Sequence, residues 1–82
     1  MERASSVVGF DRITLDPDQM NGQPCVRNMR LTVRRVLKAI ATYPDREELF
    51  REYPELQEED ITQVLEFAAA NLSDETLDFR VA

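Results

Sequence analysis

The chain has 82 residues, an apolar fraction of 43%, one cysteine, no histidine and a formal net charge of −6. That composition suits one globular domain with a modest core rather than a disordered polypeptide. It excludes an intrachain disulfide and a multi-cysteine zinc site, and it removes the commonest general base and metal ligand.

The charge is spread unevenly. Residues 1–38 carry seven Lys/Arg against four acids, whereas residues 39–82 carry three arginines against twelve acids. Such asymmetry points to a partner or to self-association, or else to two halves that neutralise each other within one small fold. No run approaches the roughly 18 apolar residues of a membrane span. Met1–Ser6 leads into no apolar signal core, and a lone thiol suits a reducing compartment. A cytoplasmic protein without membrane contact is therefore expected.

In chain order, residues 1–9 read as a flexible tail, 10–72 as the domain, and 73–82 as a C-terminal tail or strand. Ile13 and Leu15 share one face of a short strand near Arg12–Leu15, which Asp16-Pro17-Asp18 ends. Asn21-Gly22 is a turn dipeptide, and Pro24 biases Gln23 to extended geometry. From Cys25 to Val33 the odd positions are apolar except at Arg27, which predicts a second short strand pairing with the first.

Thr32 is a suitable N-cap, and Val33, Val36, Leu37 and Ile40 recur at helical spacing, predicting a helix to about Thr42. Tyr43-Pro44 stops it. Asp45 and Glu48 form a capping-box pattern for a short second helix that ends at Pro54. A third helix opens with Glu58-Glu59-Asp60, acids well placed at a positive helix N-terminus. Its stripe is Ile61, Val64, Leu65, Ala68 and Leu72, with Phe67 off it as a potential second contact surface. Leu77, Phe79 and Val81 alternate with Asp78 and Arg80, a pattern that suits a strand added to an edge. The predicted fold is mainly α: a three-helix domain, helix-turn-helix-like in outline, with a short N-terminal two-stranded β element.

The main functional candidate is a basic patch of Arg27, Arg30, Arg34, Arg35 and Lys38. Arg34 and Arg35 fall in the first turn of a helix, where cations oppose the dipole, and Arg34 and Lys38 repel each other four residues apart. Such a patch serves an anion, nucleic-acid phosphate or an acidic protein surface, unless Glu52, Glu55 or another acid pairs with it internally. A helix-turn-helix outline alone is a weak argument for duplex DNA. The outer face of the third helix would carry Glu59, Gln63 and Glu66, and carboxylates there disfavour a phosphate backbone.

Glu58-Glu59-Asp60 lacks the spacing of a hard-cation loop, so no metal or cofactor is expected. Cys25 has no histidine partner and reads as a small buried residue, although neighbouring Arg27 could activate a thiol. No catalytic residue stands out, and the chain is not expected to be an enzyme.

Two segments resemble the prokaryotic Domain of Unknown Function 433 family. One is Ile13-Thr14-Leu15-Asp16-Pro17 with Asn21-Gly22-Gln23-Pro24-Cys25-Val26-Arg27 and Arg30-Leu31-Thr32-Val33. The other is Glu52-Tyr53-Pro54-Glu55-Leu56 followed by Glu59-Asp60-Ile61. Asn21 stands where the family's first glycine falls, Gln23 where its lysine falls, and Asn28-Met29 at its Gly-Thr. Asparagine substitutes for glycine where φ is positive. The resemblance implies a small winged-helix-like or helix-turn-helix-like domain and an antitoxin-like protein of VapB type, encoded beside a ribonuclease toxin of PIN-like type. Such a protein blocks its cognate toxin and, as a homodimer, represses its own operon by binding operator DNA. On that reading Arg27, Arg30, Arg34, Arg35 and Lys38 contact nucleic acid, and Phe67, Leu77, Phe79 and Val81 contact the partner. The competing expectation is a dimeric interaction module that binds no nucleic acid.

Overall fold

The computed structural model describes residues 5–72. Strands β1 (Ser5–Val7), β2 (Phe10–Leu15) and β3 (Cys25–Val26) precede helices α1 (Val33–Thr42), α2 (Arg46–Glu52) and α3 (Glu58–Ala70). The strands form one antiparallel sheet in the order β1-β2-β3.

This corrects the expected helix-turn-helix-like domain with a two-stranded element. The added strand comes from the segment read as a tail. Ser5–Val7 folds back onto β2 across Val8-Gly9, with Ser5 opposite Leu15 and Ser6 opposite Thr14. Gly9 makes the reversal at φ 87°, a conformation that a Cβ disfavours.

The second strand is shorter than its apolar alternation implies. It stops at Val26 because Arg27 and Asn28 adopt φ 46° and 56°. Two successive left-handed residues, closed by the Met29 N–H donating to the Val26 carbonyl at 2.8 Å, make a tight hairpin turn. The chain then doubles back. The Val26 N–H donates to the Leu31 carbonyl at 3.0 Å, and Cys25 bridges to Thr32. The expected pairing with the first strand is present: Ile13 faces Val26 and Thr14 faces Cys25. The buried Thr14 hydroxyl braces the turn, accepting the Asn28 N–H at 2.8 Å.

The helices follow their caps. The Thr32 hydroxyl accepts the Arg35 N–H at 3.0 Å and starts α1. The Asp45 carboxylate accepts the Glu47 N–H at 3.1 Å and starts α2. Val33 and Val36 of α1, Leu49 of α2, and Ile61 and Val64 of α3 close over Ile13 and Val26 of the sheet. Each fully buried aliphatic side chain contributes about 1.5–3 kcal/mol.

Helix α3 is turned relative to its predicted stripe. Leu65 and Leu72 are 44% and 65% exposed. Phe67 faces inward instead, its ring edge-on to Phe10 at 5.4 Å between centroids. The sheet sets this rotation: Gln63 Oε1 accepts the backbone N–H of Arg12 at 2.9 Å, so positions 60, 63, 64 and 67 face β2. No helix among the described residues is long and apolar enough to cross a membrane.

Candidate functional site

The arginines fall into two groups with opposite fates. The first group surrounds Asp60, in the first turn of α3 and fully buried. Arg27 grips its carboxylate at both oxygens, Nε to Oδ1 at 3.1 Å and Nη2 to Oδ2 at 2.9 Å. Arg12 of β2 donates Nη1 to Oδ1 at 2.8 Å. The Gln57 N–H donates to Oδ2 at 2.9 Å, which also serves the start of α3. Burial pushes the Asp60 carboxyl up, but the hydrogen bonds from Arg27, Arg12 and Gln57 outweigh it, and the group lies below the usual carboxylate range.

This cluster fastens three distant pieces of chain together. Arg27 also reaches the Glu55 carbonyl at 2.6 Å, and Arg12 reaches Glu59 at 2.8 Å. Its left-handed backbone carries a conformational cost that these charge-assisted bonds offset. Arg27 therefore holds the protein's own carboxylate.

The second group is Arg30, Arg34, Arg35 and Lys38. With Thr32 and Tyr53 they line an open groove of about 560 Å³ along the first half of α1. None of the four makes an ion pair among the described residues, and Arg35 reaches only the Tyr53 hydroxyl, at 3.4 Å. The internal partners that the sequence offered, Glu52 and Glu55, form no ion pair with them among the described residues. They line an adjoining cavity of about 370 Å³ that shares Arg30, Leu31 and Tyr53 with the groove. Four cations thus gather on one face of a chain whose net charge is −6. The local cause is the hairpin turn. By reversing the chain at Arg27-Asn28 it sends Arg27 toward α3 and leaves Arg30 beside the start of α1.

Phe67, predicted as a partner contact, does not join this groove. Phe67 packs on Phe10 within the domain. Leu77, Phe79 and Val81 lie outside the described residues. Cys25 is buried, its Sγ donating to the Gln23 carbonyl at 3.4 Å, and burial pushes its thiol up, away from a reactive thiolate. Among the described residues no group of three His, Cys, Asp or Glu could hold a metal ion. Sequence reasoning missed Asp60 and Tyr53. Asp60 looked like ordinary helix-start charge beside Glu58 and Glu59, and Tyr53 stood out only as part of the motif that ends the second helix.

A family model described as a protein of unknown function, DUF433, matches residues 13–68. The chain belongs to the DUF433 family. No curated protein and no solved structure matches it. The matched stretch of this DUF433 chain contains Arg27, Asp60, Tyr53 and all four groove cations. Two of its departures from the family's hallmark also gain a physical reading. Asn21 and Asn28, which stand at the hallmark's glycines, take φ 59° and 56°, and asparagine is among the few side-chain-bearing residues that tolerate them. The hallmark turn is thus structural first: it makes the hairpin, anchors Arg27 and sets Arg30 at the mouth of the groove.

Proposed function

We propose that this DUF433 protein is a non-catalytic, antitoxin-like binding protein. It neutralises a ribonuclease-type toxin and contacts nucleic-acid phosphate through the groove of Arg30, Arg34, Arg35 and Lys38. The observation that carries the nucleic-acid part is the four cations without an ion pair among the described residues, gathered in a groove on an acidic protein. Cations so placed cost stability at a helix start and are compensated by an anionic ligand. The toxin part rests on the family resemblance.

The test has two arms. DNA from the protein's own promoter should bind with an affinity that falls steeply as salt rises, and an Arg34→Glu/Arg35→Glu double variant should lose most of it. Unchanged binding in that variant would remove the groove from the account. In the second arm, purification from the native host should retain the product of a neighbouring ribonuclease-like gene. Recovery of the protein alone, from a gene without such a neighbour, would remove the toxin.

A second reading is a dimeric interaction module without nucleic acid. The exposed Leu65 on α3 and Leu72 just beyond its end favour it. Sedimentation separates the two: a Leu65→Glu/Leu72→Glu variant that turns a dimer into a monomer, in a protein that ignores DNA, supports this second reading.

A further inference from the structure

We infer that the groove takes single-stranded nucleic acid in preference to a duplex, with a base stacked on Tyr53; this rests on the reading of the groove as a nucleic-acid surface. The two adjoining cavities divide the chemistry of a nucleotide. The α1 side offers Arg34, Arg35 and Lys38 to a phosphate backbone. The other side offers Met29 as apolar surface and the carboxylates of Glu52 and Glu55. Carboxylates repel phosphate but accept hydrogen bonds from the amino groups of bases. Tyr53 and Arg30 line both cavities and stand at their junction.

A splayed single strand suits that division. Its phosphates follow the cations while an unstacked base turns toward the aromatic ring and the acceptors beyond it. A duplex suits it less well. Its bases are stacked inside a stiff, convex rod, and a second phosphate backbone would face Glu52 and Glu55. Nor does α3 suit a major groove. Base edges are read by the first residues of a recognition helix. Helix α3 begins with Glu58, Glu59 and the buried Asp60, two of them tied to Arg12.

The experiment uses the full chain and a fluorescein-labelled DNA oligonucleotide of mixed sequence about twelve nucleotides long, as a single strand and as a duplex with its complement. Anisotropy at low salt should show the single strand binding at least about tenfold more tightly, as loss of a stacked base would cost. The chain has two tyrosines and no tryptophan, so a Tyr43→Phe background leaves Tyr53 as the intrinsic reporter. An unlabelled single strand should quench its emission, and the duplex should not. A duplex that binds as tightly as the single strand, or binding without quenching, overturns the single-strand inference and leaves the nucleic-acid reading standing. Binding of neither form overturns both.

Discussion

Arg27 and Arg34 lie seven positions apart in one basic segment, yet the fold uses them for opposite purposes. Arg27 closes on a fully buried carboxylate. Arg34 lines an open groove without an ion pair among the described residues. The difference lies in the backbone between them. The left-handed pair Arg27-Asn28 reverses the chain, so Arg27 at the start of the reversal faces α3 and the cations after it line the groove along α1. A run of like charges in a sequence is therefore one object only until the chain turns.

The sharpest way to break the comparison is to remove the anchor. Asp60→Ala leaves Arg12 and Arg27 without their shared partner and should cost about 3 kcal/mol of folding stability in urea titration. A loss no greater than that of an ordinary surface substitution would demote the cluster to decoration. The same anchor sets an acid dependence. The folded Asp60 carboxyl lies below its unfolded value, so its contribution is present above the unfolded value of about 4 and is lost as pH falls through the folded one. Stability should accordingly fall in acid, and Asp60→Asn should flatten that limb, read by thermal melts across the range.

Next in size is the turn that separates the two groups. Asn28→Val places a β-branched residue at φ 56° and should cost roughly 1–2 kcal/mol. Asn28→Gly should stay within about 0.5 kcal/mol of the parent. Equal effects of the two would mean that residue 28 is not held at a positive φ. The smallest effect on stability belongs to the groove. Arg34→Glu/Arg35→Glu should move stability by no more than about 0.5–1 kcal/mol, and upward, since acids suit a helix start. The same variant should lower the salt slope of nucleic-acid binding by about 2. A large loss of stability would show that the groove cations are structural after all.

The helices were legible because their punctuation is local. Thr32 and Asp45 cap within three residues, and Pro44 and Pro54 follow each helix end at once. The role of Arg27 was not, because its partner lies 33 residues away and its direction depends on two positive φ angles. β1 was missed since Ser5-Ser6-Val7 carries almost no apolar alternation and is held by pairing with β2. The inward turn of Phe67 was missed for a related reason: Phe10 and the Gln63 contact to β2 set the rotation of α3, overriding the stripe through Leu65 and Leu72. Of the groove, the cations were visible in the sequence, while Tyr53, the residue that joins the groove to the carboxylate-lined cavity, became visible only in three dimensions.

Side-chain NMR of the arginine Nε–H groups reads the anchoring and the groove arginines in one sample. Without ligand, the Arg27 Hε should exchange slowly, held by Asp60, and the Hε protons of Arg30 and Arg34 should exchange fast. Adding a single-stranded oligonucleotide should slow exchange at Arg30 and Arg34 and leave Arg27 where it was. Slow exchange at Arg30 and Arg34 before ligand, or a ligand response at Arg27 instead of the groove, would contradict the division of these arginines into anchor and binding surface.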